Sequence, residues 1–187
     1  MVGGFPSPTT SVEVWVPGSQ GRSCSLPSTT RGMSHHTVDY SPSVGPVACH
    51  ARSCEKLTAT GWTHLADTVE LRSRHTSALV GDRLLLLGGR SSSRSTEWIS
   101  LTTGTAEAGP TLDPGRTLHC SIQLEEQLIV LTGGSGTLDL VTELRIGQGT
   151  RELPRLNTGR WGHGCGFYTD SEGTKVTVTI DFQRLIF

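Results

Sequence analysis

The stretch that decides the fold is "RLLLLGG", residues 83–89, in which four consecutive leucines end on two glycines. The same design recurs in "LIVLTGG" at 128–134. A short apolar run that is bounded by turn residues is typical of a buried strand. Glycine at its end fits a place where backbones crowd or where φ is positive. Two copies of this design predict one repeated unit rather than two unrelated turns.

Histidine, arginine and glutamate recur in step with the glycine pairs. The histidines are spaced 39, 44 and 44 residues apart: His36, His75, His119 and His163. Three of them have an arginine three positions earlier, namely Arg72, Arg116 and Arg160, where the first has Met33. A glutamate series reads Glu13, Glu55, Glu97 and Glu143. Residues that keep their mutual offsets in this way predict units of roughly 44 residues.

The best-preserved unit reads as four short strands. "HTSALV" (75–80) and "RLLLL" (83–87) flank the turn "GD", and "STEWISL" (95–101) alternates as a half-exposed strand does. A weaker strand then leads into "AGPTLDPGR" (108–116). Four antiparallel strands in 40 to 50 residues are what a propeller blade requires, and such units must stack to bury both faces. A helical solenoid is not favoured, because the chain lacks a 3.6-residue period.

The stretches "RSRHTSALVGDRLLLLGG" (72–89) and "GRTLHCSIQLEEQLIVLTGG" (115–134) resemble the kelch repeat family. The resemblance implies an all-β fold, an incomplete kelch-type β-propeller in a single region, 1–187. It divides the chain into the end of a blade (1–30), three whole blades (31–70, 71–112 and 113–154), and the start of a blade with a non-matching tail (155–187). The residues assigned to the structural repeat are Gly88, Gly89, Gly133, Gly134, His75, His119, His163, Arg72, Arg116, Arg160, Glu97 and Glu143. In the first whole blade Cys49 and His50 take the place expected for the glycine pair.

Charge and hydropathy exclude two classes of partner. With 16 basic and 17 acidic residues the chain has no electrostatic footprint for nucleic acid. The longest purely apolar run, 84–87, is far too short to cross a membrane. The opening "MVGGFPSPTT" has no basic or apolar region typical of a signal peptide. A cytoplasmic location is slightly favoured, and an extracellular one stays open.

The five cysteines do not define a disulfide framework. "CHARSC" (49–54) with His64 supplies cysteine and histidine ligands of the kind that zinc prefers. A local disulfide between Cys49 and Cys54 is favoured over zinc, although only outside the reducing cytosol. Cys120 and Cys165 fall in first strands and are expected to be buried small apolar residues.

No catalytic residue, metal site or cofactor is predicted. Arginine and histidine in every unit favour a structural role, because an active site needs one position to differ from the others. "GHGCG" (162–166) lacks the lysine and serine of a phosphate loop. A copper site like that of galactose oxidase uses two tyrosines and two histidines, with one tyrosine linked to a cysteine. The only two tyrosines, Tyr40 and Tyr168, lie at blade starts, and no repeated position supports such a cluster. An enzyme is therefore the least favoured alternative.

A binding function is favoured instead. In a four-stranded blade the loops after the second and fourth strands emerge on one face, and recognition usually lies on such loops. Arg90, Arg94, Arg155 and Trp161 are candidate contacts, because arginine and tryptophan are enriched at interface hot spots. We expect a non-catalytic scaffold that binds a protein or peptide partner. The alternative is an extracellular adhesion or glycan-binding propeller.

Overall fold

The computed structural model describes residues 8–15, 23–91 and 93–180, in which it contains fifteen strands and no helix. The predicted all-β class is confirmed. None of these residues belongs to a helix that could cross a membrane. The strands are β1 Val12–Trp15, β2 Ser23–Leu26, β3 Thr37–Ser41, β4 Gly45–Thr58, β5 Gly61–Arg72, β6 Thr76–Val80, β7 Arg83–Leu87, β8 Thr96–Ser100, β9 Ala106–Ala108, β10 Cys120–Glu125, β11 Leu128–Thr132, β12 Val141–Arg145, β13 Gly149–Leu153, β14 Gly164–Thr169 and β15 Lys175–Ile180.

These strands form five antiparallel sheets in chain order. Each strand pairs with its neighbour in sequence, giving β1-β2, β3-β4-β5, β6-β7-β8-β9, β10-β11-β12-β13 and β14-β15. Residues 71–112 and 113–154 each hold one four-stranded sheet, whereas 31–70 holds a sheet of three strands. The non-matching tail 181–187 lies outside the described residues.

The three-stranded sheet differs from the predicted four because β4 doubles back. The Cα atoms of Cys49 and Cys54 lie only 4.1 Å apart, whereas five residues of straight strand span roughly 16 Å. The two arms of β4 therefore lie side by side, in the places that β7 and β8 occupy in the next sheet. The turn contains Ala51, whose φ is 55°.

Strand register shows that His50 and Ala51, rather than Cys49 and His50, occupy the glycine-pair positions. Thr37 pairs with Cys49 as Thr76 pairs with Leu87, the residue that immediately precedes the glycines. The expectation for Cys49 is therefore wrong by one position. A count from the next unit missed this because the β3-β4 hairpin has one residue more, with Thr37 and Cys49 12 residues apart and Thr76 and Leu87 11 apart.

The glycine pairs adopt the same backbone conformation in both four-stranded sheets. The φ angles are 62° and 111° at 88–89, and 59° and 109° at 133–134. A Cβ on Gly88 would lie 2.5 Å from the carbonyl oxygen of Arg116, and one on Gly133 would lie 2.4 Å from that of Arg160. Each pair thus ends its strand where the backbone of the next unit crosses over it.

The glutamate series holds in two sheets and fails in the third. Glu97 pairs with Leu86 on β7, and the corresponding pair on β11 and β12 is Leu131 with Thr142. Thr142 therefore takes the position of Glu97, and the prediction that Glu143 belongs to this series is wrong. Glu143 was aligned by residue type, although it lies nine residues beyond Gly134 whereas Glu97 lies eight beyond Gly89. The loops between the second and third strands, 90–95 and 135–140, have the same length.

The core lies between successive sheets. Leu84 and Leu86 pack toward β3-β4-β5, and Leu85 and Leu87 pack toward β10-β11-β12-β13. All four leucines are buried, since alternate residues of a strand face opposite sides. Burying each side chain contributes about 1.5–3 kcal/mol. The unbroken leucine run therefore follows from a strand that is covered on both faces.

Consecutive sheets are also joined by a backbone hydrogen-bond series. The first strands β3, β6, β10 and β14 contact one another in that order. The amide of Arg74 donates to the carbonyl of His35 (3.0 Å), that of Leu118 to Arg74 (3.0 Å), and that of Gly162 to Leu118 (2.7 Å). All four residues have φ between 51° and 61°. Equivalent positions thus bond from sheet to sheet.

Candidate functional site

The repeated arginines hold the loop that follows each second strand. The guanidinium of Arg72 donates to the carbonyls of Gly88 (2.8 Å) and Ser95 (2.9 Å). Arg116 makes the equivalent bonds to Gly133 (2.9 Å) and Leu140 (3.0 Å). Both arginines are almost fully buried. Their contacts are with the protein itself, which makes them scaffold rather than ligand contacts.

Two of the repeated histidines, His75 and His119, are buried neutral rings. Nε2 of His119 lies 2.8 Å from Oγ1 of Thr76, and Nε2 of His75 lies 3.4 Å from Oγ1 of Thr37. Burial, helped by the neighbouring arginine, lowers the pKa of His75 and of His119 to about 3. These two rings therefore offer no positive charge at neutral pH. Nε2 of His163 lies 2.8 Å from Oγ1 of Thr132, at the end of the second strand β11, whereas Thr37 and Thr76 begin first strands.

Loops after the second and fourth strands meet at one edge of each four-stranded sheet. The amide of Leu112 donates to the carbonyl of Arg94 (2.7 Å), and that of Leu156 donates to Asp139 (2.8 Å). The corresponding segment of the three-stranded sheet, 66–73, does not form such a loop, because β5 runs through it to Arg72. Strand pairing of Arg72 with Ala51 keeps that segment extended.

One cavity of about 650 Å³ opens at this edge of the second four-stranded sheet. Trp161 and Leu138 flank it with side chains that are 44% and 46% exposed. Its lining is Pro114, Ser135, Gly136, Thr137, Leu138, Asp139, Leu140, Glu152, Arg155 and Trp161. Two of the four predicted contact residues, Arg155 and Trp161, thus lie in the same cavity.

The charged side chains of the cavity form two partly exposed ion pairs that share one arginine. Nη1 of Arg155 lies 2.9 Å from Oδ1 of Asp139, and its Nη2 lies 4.0 Å from Oε2 of Glu152. The three side chains are 57%, 44% and 64% exposed. Exposed pairs of this kind contribute about 0–1 kcal/mol, so a partner can separate them at little cost.

A buried cation lies beneath the cavity. Arg116 bonds the carbonyl of Leu140, a lining residue, and Oγ1 of Thr142 at 3.0 Å. Burial lowers its pKa to about 10, with Glu152 acting in the opposite direction. Arg116 therefore stays protonated at neutral pH, and Glu152 is the acidic group that offsets its charge.

The other two predicted contacts lie outside the cavity. Nη1 of Arg94 lies 3.1 Å from Oδ1 of Asp113, next to the lining residue Pro114. Arg90 has an exposed side chain, and its amide donates to the carbonyl of Ser73 (2.8 Å). Arg94 therefore lies beside the cavity. Arg90 lies next to Ser73, the residue that follows β5 of the preceding sheet.

Sequence reasoning missed the acidic half of the cavity. Asp139 takes the register position of Arg94, since Leu140 and Ser95 accept equivalent amides from Gly133 and Gly88. The charge at this position is thus reversed between the two sheets. Such a reversal is the asymmetry that a specific site requires, and an alignment of the two loops would have shown it.

The described residues contain no group of three or more histidine, cysteine, aspartate or glutamate side chains that could hold a metal ion. Tyr40 and Tyr168 lie on β3 and β14, with side chains that are 69% and 53% exposed.

Two disulfides join described cysteines. The predicted pair Cys49–Cys54 is confirmed. Cys120 and Cys165 were expected to be buried apolar residues, but they are half-buried and bonded to each other. This bond joins β10 to β14, whose contact brings the two Cα atoms within 6.0 Å. Their separation of 45 residues gave no signal in the sequence.

Comparison with known proteins shows a likeness of fold alone. No family model matches the chain, and no curated protein matches it. Among solved structures it is similar to one described as "Structure of YjhT", with a TM-score of 0.64 and 9% sequence identity. The match covers 90% of this chain and 76% of that chain.

Proposed function

We propose that the chain is a series of kelch-type propeller blades that binds a protein or peptide partner without catalysis. The blade assignment is supported by the recurring glycine pairs, buried arginines and sheet-to-sheet amide bonds. It is also supported by the first strands, which contact one another in chain order. A rigid scaffold of this kind suits recognition by its loops.

The observation that carries the binding function is the cavity containing Trp161 and Arg155. Its lining contains a half-exposed aromatic ring and a guanidinium that forms ion pairs with exposed carboxylates. Tryptophan and arginine are the residue types that dominate interface energies. The buried histidines and arginines of the repeat are committed to the scaffold, so we assign them no contact with the partner.

A displayed random peptide library tests this function. Peptides selected on the intact chain should lose at least tenfold in affinity on Trp161→Ala and on Arg155→Ala, because each substitution removes a hot-spot side chain. Arg151→Ala is the matched control, since Arg151 is exposed and pairs with Glu143 away from this cavity. Selected peptides that bind both cavity variants as tightly as the control would contradict the proposal.

The two disulfides favour a second candidate, an extracellular adhesion or glycan-binding propeller. Disulfides persist in oxidising compartments and are rare in the cytosol. Mass spectrometry of the protein purified from its native source, after alkylation, distinguishes the candidates. Oxidised Cys49–Cys54 and Cys120–Cys165 pairs support the extracellular form, and free thiols support an intracellular adaptor.

A further inference from the structure

Cys120 occupies a position that threonine holds in the preceding sheet. Thr76 and Cys120 begin β6 and β10, and each pairs with the last residue of the second strand of its sheet. Oγ1 of Thr76 lies 2.8 Å from Nε2 of His119, the histidine of the following unit. The repeat therefore assigns Sγ of Cys120 to the next histidine in the series, His163.

The disulfide commits that sulfur to Cys165 instead. Oγ1 of Thr132 then lies 2.8 Å from Nε2 of His163. Thr132 has the register position of Leu87, which carries no hydroxyl. The hydroxyl has thus moved from the first strand to the second in the sheet whose first strand begins with cysteine. Thr132 supplies the ring with a hydroxyl partner while Cys120 is bonded to Cys165.

The same disulfide anchors the segment that carries Trp161. Cys165 follows Trp161 by four residues and is bonded to β10, the first strand of the sheet whose edge holds the cavity. The amide of Arg160 also donates to the carbonyl of Leu138, a lining residue, at 2.8 Å. Of these two contacts only the disulfide is covalent. Opening it leaves the Trp161 side of the cavity held by hydrogen bonds and packing.

We propose that Cys120 and Cys165 form a redox-controlled tie that fixes Trp161 at the cavity, and that a dithiol reductant opens the tie and weakens partner binding. The effect on binding rests on the proposed function, whereas the opening of the tie does not. Fixing a contact residue before association lowers the entropy cost of binding. The oxidised chain therefore binds the partner more tightly than the reduced chain.

The opening step is a thiol–disulfide exchange. A thiolate of the reductant attacks Sγ of Cys165, and the electron pair of the S–S bond leaves on Sγ of Cys120, which takes up a proton. The second thiol of the reductant then attacks the first reductant sulfur, closes a cyclic disulfide and releases Cys165 as a thiol. Two electrons and two protons have then passed to the protein. The released thiol of Cys120 has a partner in place, because the repeat assigns it to Nε2 of His163.

Titration with dithiothreitol tests the tie in the unmodified chain, with alkylation and mass spectrometry giving the reduced fraction of each pair. The local pair is the internal reference, because Cys49 and Cys54 are 1% and 0% exposed. We expect Cys120 and Cys165 to be half reduced at a concentration at least tenfold lower, with an unchanged circular dichroism spectrum. Acrylamide quenching of Trp161 fluorescence, taken as the difference from the Trp161→Phe chain, should increase at least twofold. Simultaneous reduction of both pairs, or unchanged quenching, would overturn the proposal.

Thr132→Val distinguishes a switch from a merely structural bond. The substitution removes a bond to His163 that the thiol of Cys120 replaces only after reduction. The reduction midpoint of this pair should therefore fall at least threefold in dithiothreitol concentration. Thr150→Val, on β13 of the same sheet, is the matched control and should leave the midpoint unchanged. Equal midpoints in the two variants would likewise overturn the proposal.

Peptide binding separates this proposal from the proposed function. Library peptides that require Trp161 should bind at least fivefold more weakly to the Cys120→Ser/Cys165→Ser chain and to the reduced unmodified chain. The Cys49→Ala/Cys54→Ala chain should bind them as the unmodified chain does. Undiminished affinity after loss of the Cys120–Cys165 bond would sink the redox control and leave the cavity as a binding site. A library without Trp161-dependent peptides would contradict the proposed function, and the titration and quenching would still decide the tie.

Discussion

Arg72 and Glu97 form a buried ion pair that joins the end of one sheet to the middle of the next. Nε and Nη2 of Arg72 both donate to Oε1 of Glu97, at 3.0 and 2.8 Å. The same carboxylate accepts the amides of Val69 (2.8 Å) and Glu70 (2.9 Å). Four donors thus converge on one side chain that is 2% exposed, so the charge is buried with its partners in place.

Glu97→Ala should lower the free energy of unfolding by about 3–5 kcal/mol, because it leaves a buried guanidinium without its counter-ion. Denaturant unfolding measures the change. Glu107→Ala serves as the control, since its partner Arg83 lies at an exposed position and such pairs contribute about 0–1 kcal/mol. Similar losses in the two variants would show that the buried pair has no special role.

Gly88→Ala should destabilise the protein more than Gly147→Ala. Both glycines have positive φ, at 62° and 80°, which costs an alanine about 1–2 kcal/mol. Only at Gly88 would the new Cβ also meet a backbone oxygen, that of Arg116 at 2.5 Å, whereas Gly147 has nothing within 4 Å. Thermal unfolding of the two variants compares them, and equal losses would contradict a close approach of the backbones.

Stability should fall as the pH is lowered from about 6.5 toward 3. The pKa of His75 and of His119 is about 3 in the folded state, whereas an unfolded histidine titrates near 6.5. Between these values the unfolded state binds more protons, so folding loses up to about 1.4 kcal/mol per pH unit for each histidine. Above pH 6.5 the two histidines are neutral in both the folded and the unfolded state, so they no longer lower the stability.

Urea unfolding between pH 7.5 and 5 measures that slope. His119→Gln removes one of the two largest contributions and should reduce the slope clearly, whatever its effect on stability at pH 7.5, while the smaller contributions of His35 and His50 remain. An unchanged slope would mean that His119 is not buried as a neutral ring.

Removing the disulfide between sheets should cost more than removing the local one. By loop-closure entropy, Cys120→Ala/Cys165→Ala should lose about 4 kcal/mol and Cys49→Ala/Cys54→Ala about 2 kcal/mol. The difference arises because the first bond closes a span of 45 residues and the second a span of 5. Unfolding in oxidising buffer measures both losses. The reverse order would show that strain or residual structure outweighs chain entropy here.

The local sequence was sufficient for the all-β class and for the glycine pairs. Leu84 to Leu87 are apolar without alternation because both faces of β7 are covered, and glycine follows because no Cβ fits beneath the next backbone. Hydrophobic periodicity and backbone sterics act over a few neighbouring residues, so the sequence alone reveals them. That Trp161 and Arg155 contact a partner stays a prediction from residue type and loop position, and the structure adds that both line one cavity.

Only the tertiary structure decided which repeats are equivalent residue by residue, and which distant side chains meet. Thr142 replaced Glu143 in the glutamate series because strand register, and not residue type, fixes which positions are equivalent. Cys120 met Cys165 because β10 packs on β14 of the next sheet. Asp139 met Arg155 because the loops after the second and fourth strands of one sheet lie side by side. Contacts of this kind depend on how sheets stack, and no periodicity along the chain encodes them.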